Sequence, residues 1–154
     1  MKEITKIEQI AYMAGLIDGE GSINISKKNG RYFWLTVDVG TTDKRLLVWL
    51  LENIGGHFRV STKANSKHKT GYHWTLCSKQ AKKLLQLILP FLIIKKDEAI
   101  VGIKFQDIMK FQNKLSVKDI ELRQKMKDEL ESLRCSCAVQ ASDYTASDKH
   151  QVSD

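Results

Sequence analysis

The sequence has few of the residues that crosslink, anchor or export a protein. Of its 154 residues, three are cysteines and one is proline. Three cysteines cannot complete a disulfide framework, so we expect a reducing compartment. The chain lacks the run of roughly eighteen apolar residues that a membrane span needs, and its opening residues resemble neither a signal nor a transit peptide. We therefore expect a protein that is not secreted, contacts no membrane and acts where it is made.

The C-terminal part has too few large apolar residues to build a core. Residues 135–154 contain no Leu, Ile or Phe. We therefore predict one domain over residues 1–134 and a polar, disordered tail over residues 135–154. Cys135 and Cys137 lie in that tail without the second pair of ligands that a zinc site needs, so we expect no zinc there.

Acidic residues are scarce in the middle of the chain. From Ser22 to Lys83, twelve Lys and Arg face three Asp and Glu, a net charge of +9 in a chain whose total is +7. A polyanion is the natural partner of such a segment, because each basic side chain that binds a phosphate releases condensed counterions. Charge alone does not separate a nucleic-acid-binding protein from an ordinary basic protein.

The apolar patterns predict a helix, two strands, a helix, two strands and then further helices. The predicted helices are 4–17, 43–54, 80–89, 97–111 and 117–133, and the predicted strands are 22–28, 31–39, 57–63 and 71–77. Asn29-Gly30 predicts the first hairpin turn, and Ser116 with Asp119 predicts the cap of the last helix. The order predicts an α+β fold, with a four-stranded antiparallel sheet and helices on one face.

The end of the first helix carries an unusual pattern. Ala11, Gly15 and Gly19 recur every four residues and leave a flat helix face that a second helix can approach closely. Asp18 and Glu20 lie at the carboxyl end, where the helix dipole disfavours negative charge. If two copies pack through this face, their acids meet and need a cation such as Mg²⁺, which could activate water at a phosphodiester. The alternative is a helix that ends in a glycine-rich turn with two solvated acids.

Residues 13–21, Met-Ala-Gly-Leu-Ile-Asp-Gly-Glu-Gly, resemble the LAGLIDADG motif of homing endonucleases at six of nine positions. The departures are Met13, Gly19 and Glu20, and the last keeps the carboxylate with one more methylene. The resemblance extends over roughly residues 7–114. It implies the αββαββα homing-endonuclease fold and a site-specific, double-strand DNA endonuclease.

The resemblance also implies the metal site and the catalytic lysine. Glu20 and the main-chain carbonyl of Gly19 would bind catalytic Mg²⁺, for which Mn²⁺ or Ca²⁺ could substitute in binding. Lys95 ends Pro-Phe-Leu-Ile-Ile-Lys, which resembles the family's Pro-Phe-Leu-x-x-Lys, and would lie near the scissile phosphate. The alternative is that Lys95 and Lys96 are ordinary solvated lysines.

Two further catalytic positions follow from the same resemblance. Thr41 matches a polar residue that orients water, although it is shorter than the Gln or Asn of relatives. Arg45 matches a basic residue one turn later, and a slip of one residue would give Lys44 instead.

One motif per chain implies a homodimer, whose interface would include Ala11, Ala14, Gly15 and Asp18. Each copy would read one half-site of a long pseudo-palindrome, and cleavage would leave short 3′ overhangs. Such proteins promote the mobility of introns in organelles or microbes. We therefore expect a chloroplast, a mitochondrion or a microbial cytoplasm as the location, and no small-molecule substrate.

Strand alternation predicts a polar, basic and aromatic sheet face directed away from the helices, with Phe58 and Val60 on the opposite, inward face. Such a face can lie in the major groove, where Arg59 suits guanine and Asn24 suits adenine. The expected DNA contacts are Asn24, Ser26, Lys28, Tyr32, Trp34, Thr36, Asp38, Arg59, Ser61, Lys63, Lys67, Lys69, His73 and Thr75. Of these, Lys63, Lys67 and Lys69 are expected to bind phosphates.

Two other functions fit the same fold. One is an RNA maturase that aids intron splicing without cutting, and the other is a DNA-binding regulator that has lost cleavage. The presence of both Glu20 and Lys95 favours an active nuclease.

Overall fold

A computed structural model describes residues 5–61, 70–109 and 115–147, and the side chains of these residues except 135–147. The helices are α1 (Lys6–Glu20), α2 (Lys44–Asn53), α3 (Ser78–Ile88), α4 (Lys96–Asp107) and α5 (Val117–Ser147), with a short 3-10 helix at Leu89–Phe91. The strands are β1 (Gly21–Lys28), β2 (Tyr32–Thr41), β3 (His57–Ser61) and β4 (Gly71–Cys77). The predicted order of elements and the α+β class are confirmed.

The four strands form one antiparallel sheet in the order β1-β2-β4-β3. The turn between β1 and β2 is the predicted one: Asn29 and Gly30 are both at positive φ, and the Arg31 N–H donates to the Lys28 carbonyl at 3.4 Å. In the β1–β2 pair, Gly21 lies opposite Val39 and Lys28 lies opposite Tyr32. The sheet is therefore built around β2, which pairs with β1 on one side and β4 on the other.

The helices cover one face of the sheet and enclose the core with it. The strand residues that point inward are the predicted apolar positions of β1 and β2, together with Trp74 and Leu76 of β4. The buried strand side chains are Ile23, Ile25, Phe33, Leu35, Val37, Val39, Trp74 and Leu76. Because side chains alternate along a strand, this burial fixes the other residues of β1, β2 and β4 on the uncovered face.

The junction between α1 and β1 is a tight turn at Gly21. A capping box of Thr5 and Glu8 begins α1, and the Gly21 N–H ends it by donating to the carbonyls of Leu16 and Ile17. A Cβ at Gly21 would lie 2.7 Å from Ile17 Cα, so this position needs glycine. The helix thus continues to Glu20, past the predicted end at Ile17, and leads directly into the first strand.

Two features add to the expectations. Phe58 and Val60 of β3 lie opposite Trp74 and Tyr72, which confirms the predicted inward face, but they are 53% and 49% exposed because β3 is an edge strand. The helix α5 continues past residue 134, where the sequence predicts the domain to end; the domain boundary itself stays a prediction. Lys63, Lys67 and Lys69 lie outside the described residues.

The predicted cap of α5 is present. The Ser116 hydroxyl accepts from the Asp119 N–H at 3.2 Å while the Asp119 carboxylate accepts from the Ser116 N–H at 3.0 Å, which confirms the predicted cap of α5. In the described part of the chain, every helix is too short or too polar to cross a membrane.

Replacing Gly21 with alanine should destabilise the protein. The added Cβ would overlap the backbone of Ile17, and relieving such a contact costs about 1–3 kcal/mol in the free energy of unfolding. Urea denaturation at one protein concentration measures this loss. Gly40→Ala is the control, because the nearest atom to its Cβ would lie at an ordinary 3.8 Å. Equal stability of Gly21→Ala and the wild type would contradict the close contact.

Candidate active site and nucleic-acid interface

Asp18 connects the end of α1 to a segment that follows it by more than seventy residues. Its carboxylate accepts hydrogen bonds from the backbone N–H groups of Ile93, at 2.8 Å, and Lys95, at 2.9 Å. The Lys95 ammonium group in turn donates to the main-chain carbonyl of Asp18. These contacts bring Lys95 to the end of the motif helix, next to Gly19 and Glu20 in the chain.

Asp18 remains ionised because of these contacts. Partial burial disfavours its charge, but hydrogen bonds from the backbone N–H groups of Ile93, Lys95 and Ile94 and the charge of Lys95 outweigh that effect, and the pKa of Asp18 lies below its ordinary value. Both carboxylate oxygens are engaged within the chain. Asp18 thus stabilises the contact between α1 and residues 93–95 within this chain, and its contact with a second copy stays a prediction.

Glu20 and Gly19 lie exposed at the last turn of α1. The carboxylate oxygen of Glu20 and the main-chain carbonyls of a helix end are hard ligands in a region of negative potential, which suits Mg²⁺. Among the side chains that the structure describes, no three His, Cys, Asp or Glu converge to hold a metal. Metal binding by Glu20 and the Gly19 carbonyl stays a prediction.

The small residues of α1 form an exposed stripe. Ala11, Gly15 and Gly19 are all exposed, and a Cβ added to either glycine would meet nothing within 4 Å. Glycine inside a helix costs about 1 kcal/mol relative to alanine, and nothing in the described chain requires it here. Ala14, by contrast, is fully buried in the core, so its assignment to the dimer interface is wrong: the residue lies on the side of α1 that faces the sheet.

Thr41 and Arg45 lie near the start of α2, at the end of the sheet where α1 also ends. Val39 pairs with Gly21, so β2 continues past the α1–β1 junction to reach Thr41. The Thr41 hydroxyl accepts from the Asp43 N–H at 3.0 Å, which leaves its hydrogen free to donate.

Arg45 binds the Asp43 carboxylate through two guanidinium nitrogens. Hydrogen bonds from the side chain and backbone of Arg45 lower the pKa of Asp43 to about 2. The Arg45 side chain is otherwise 92% exposed, and Lys44 is exposed beside it. Both basic groups are therefore available at this end, and the choice between them stays open.

A ring pair that the sequence pattern did not indicate flanks the glycine stripe. Tyr12 of α1 and Trp49 of α2 meet edge to face with ring centroids 5.0 Å apart, although Tyr12 is half exposed. With Arg45 and Leu46, they line an open cleft beside α1. Helical periodicity places each aromatic residue on its own helix but does not show that the two helices meet there.

The uncovered sheet face carries the residues predicted to contact DNA. Lys28, Arg59 and Ser61 are exposed, whereas Asn24, Ser26, Tyr32, Trp34, Asp38, His73 and Thr75 are half buried among their neighbours. Thr36 is an exception, because it is only 6% exposed and its hydroxyl donates to Asp38 at 2.9 Å. Its predicted direct contact with DNA is therefore wrong, and its role is to support Asp38.

A family model described as a LAGLIDADG-like domain matches residues 8–88, more than half of the chain. The chain belongs to this family. An uncharacterized protein of Methanocaldococcus jannaschii is 33% identical to this LAGLIDADG-like chain over 66 residues, covering 41% of the chain and 25% of that relative. The chain thus spans about a quarter of the relative's length.

Solved structures of homing endonucleases share the fold of this LAGLIDADG-like chain. The homing endonuclease I-CvuI, in complex with target DNA in the presence of magnesium, superposes with a TM-score of 0.65 at 17% identity over 81% of both chains. The archaeal intron-encoded homing endonuclease I-Vdi141I, complexed with DNA, gives 0.66 at 19% identity over 81% of this chain and 83% of its own. The predicted homing-endonuclease fold is therefore confirmed.

Replacing Asp18 with asparagine should destabilise the protein in a pH-dependent manner. The folded-state pKa of Asp18 is below its ordinary value of 3.8, so the stability from its charge is present above that pH and is lost as the pH falls through the folded-state pKa. The difference in free energy of unfolding between wild type and Asp18→Asn should thus be large at pH 7 and smaller at pH 3, as measured by urea denaturation. A difference that grows toward pH 3 would contradict the assigned hydrogen bonds. Asp128→Asn, at an exposed position of α5, is the control.

Proposed function

We propose that this chain is a homing endonuclease that acts as a homodimer and hydrolyses both strands of a long pseudo-palindromic DNA site. The observation that carries the proposal is the meeting of Lys95 with the end of the motif helix, where Glu20 is exposed. The sheet beside that helix end presents a polar and basic face. The structures of I-CvuI and I-Vdi141I with DNA support double-stranded DNA as the partner.

The glycine stripe supports a second copy of this chain as the partner of α1. Two such helices can pack closely through Gly15 and Gly19, because neither glycine carries a side chain and a Cβ added to either would meet nothing within 4 Å. A two-fold axis along this contact brings two Glu20 carboxylates toward each other. The ligands that one chain lacks would then come from the other.

Glu20 and the carbonyl of Gly19 would hold Mg²⁺ in this arrangement. When bound, the metal would lower the pKa of a water molecule and stabilise charge on the leaving oxygen. In the hydrolysis, a water oxygen bonds to phosphorus, one phosphorus–oxygen ester bond breaks, and a proton passes to the leaving oxygen. Opposed copies would cut the two strands at offset positions, which gives short 3′ overhangs.

The chain's own residues would position the phosphate. Lys95 has three N–H donors, of which one binds the carbonyl of Asp18, so the other two can bind a phosphate oxygen or the attacking water. Thr41 can donate its hydroxyl hydrogen to the same water, and Arg45 or Lys44 adds positive charge. This set favours cleavage over an RNA maturase or a regulator that only binds DNA. A cleaved site in a microbial or organellar genome would promote mobility of the intron that encodes the protein.

Replacing Glu20 with glutamine should abolish cleavage but preserve DNA binding. The change removes a charge that would hold the metal, and the residue makes no described contact that supports the fold. The target is first identified by selecting the duplexes that the wild type cleaves from a randomised DNA library in the presence of Mg²⁺. Cleavage of that target by Glu20→Gln should be at least about a hundredfold slower than by the wild type. Binding of the target, measured by gel shift, should stay within a few-fold of the wild type. Glu121→Gln on α5 is the matched control and should cleave like the wild type. Normal cleavage by Glu20→Gln would contradict the metal site.

Replacing Gly15 with leucine should separate the two copies. The side chain would project into open space in one chain but into the partner in the dimer. Sedimentation of the wild type should give twice the chain mass, and the variant should give the mass of one chain with little cleavage. Lys125→Leu, an exposed change on α5, should remain dimeric. If Gly15→Leu does not fold, the wild-type mass decides, because a wild type that remains a monomer on its target would itself contradict the homodimer.

A further inference from the structure

Asp38 is the centre of a hydrogen-bond network on the uncovered sheet face. Its Oδ1 accepts from the Thr75 hydroxyl at 2.6 Å, and its Oδ2 accepts from the Thr36 hydroxyl at 2.9 Å and from Asn24 Nδ2 at 3.3 Å. Asn24 Nδ2 also donates to Ser22 Oγ at 3.1 Å. The network therefore crosses β1, β2 and β4, the three strands that occupy the middle of the sheet and one of its edges.

The register explains why these residues meet. Asp38 lies opposite Ser22 on one side and opposite Thr75 on the other, while Asn24 lies opposite Thr36. Directly opposed residues of antiparallel strands point to the same face at short range. Asp38 is the only acidic residue in the four strands as the structure describes them. Its charge also reaches the next cross-strand position, because burial and, after it, the Asp38 charge raise the pKa of Cys77.

The Asp38 carboxylate occupies the hydrogen-bond donors of its neighbours. An ionised carboxylate can only accept, so each hydroxyl that binds it must use its single hydrogen there. The hydroxyl groups of Thr36 and Thr75 can therefore only accept further hydrogen bonds. Asn24 must turn its nitrogen toward Asp38, and with both amide hydrogens used on Asp38 and Ser22 it presents only its carbonyl oxygen.

The surface that results offers acceptors to any molecule laid on it. Thr36 is buried, so the accessible acceptors are the Asp38 carboxylate, the Thr75 oxygen and the Asn24 carbonyl, all on half-buried residues. Ser22 accepts from Asn24 and keeps its own hydrogen, so a donor remains at the border of the patch. The rest of the face is basic or aromatic, with Lys28 and Tyr32 beyond Asn24 along the hairpin.

This inference rests on the proposed function. We infer that, because of Asp38, the middle of this face selects a base that carries an amino group, adenine or cytosine, in the major groove of each half-site. The groove donors are adenine N6 and cytosine N4, whereas guanine and thymine present acceptors at the matching positions. An acceptor patch attracts the first pair and opposes the second. This also corrects the simpler expectation for Asn24, since a bidentate contact to adenine needs an amide N–H that Asp38 and Ser22 already use.

Selection of bound duplexes from a library with randomised half-sites tests the inference. The wild-type chain should enrich A or C over G or T, on one strand, at one or two adjacent positions of each half-site by about tenfold or more. Asp38→Asn introduces N–H donors and frees the amide of Asn24, so this preference should fall about tenfold while the other positions keep theirs.

The outcomes separate this inference from the proposed function. A wild type without the amino preference, or an Asp38→Asn library identical to that of the wild type, would overturn the inference alone. A wild type that enriches no sequence would overturn the proposed function as well. Glu121→Gln, which removes a charge from the helical side of the molecule, should keep the wild-type preference and thus controls for overall charge. If thermal unfolding shows that Asp38→Asn does not fold, the wild-type library decides, since a wild type without the amino preference overturns the inference by itself.

Discussion

The hydrogen bonds of Asp18 are the constraint on which the rest of the site depends. A carboxylate at the carboxyl end of a helix is disfavoured by the helix dipole, and hydrogen bonds from backbone N–H groups of residues 93–95 stabilise its charge here. The same contacts fix the start of α4 and hold the Lys95 ammonium at the helix end. The interaction that stabilises Asp18 thus places Lys95 at the helix end that also carries Glu20.

The junction between α1 and β1 links the position of this helix end to the position of the sheet. Gly21 packs so tightly on Ile17 that α1 and β1 meet without a loop. The first strand therefore starts at the candidate metal site, and its register with β2 places Thr41 at the same end. The uncovered sheet face and the helix end are thus joined without an intervening loop.

The fold was largely predictable because its signals are local. Alternation in β1 and β2, the Asn29-Gly30 turn and the Ser116 cap each lie within a few residues and agree with one another. The motif resemblance supplied Glu20 and Lys95, and the structure adds that Lys95 meets the end of the motif helix. The sequence alone could not have joined them, since the pairing depends on how α3 and the following segment return to α1.

The errors share a physical origin, since each concerns what a residue meets across space. Ala14 fits the spacing of small residues, but the sheet lies beneath its side of α1 and buries it. Thr36 lies on the expected face, yet Asp38 beside it captures its hydroxyl. Phe58 does lie on the predicted inward face, opposite Trp74, but its exposure on an edge strand was not anticipated. Periodicity gives the direction of a side chain, whereas burial and hydrogen bonding depend on neighbours that only the folded chain brings close.

Contacts within the described chain explain only some of the glycines in and next to α1. Gly21 is explained by contacts within the chain, but Gly15 and Gly19 weaken their helix and have no neighbour there. Asp38 presents a similar imbalance, because a lone carboxylate in a basic face attracts donors that the strands must supply. Under the proposed function, a second copy of α1 would cover the two glycines and a nucleic acid would cover Asp38. The strand β1 starts at the end of α1 and carries Asn24 of the Asp38 network, so it joins the two surfaces directly.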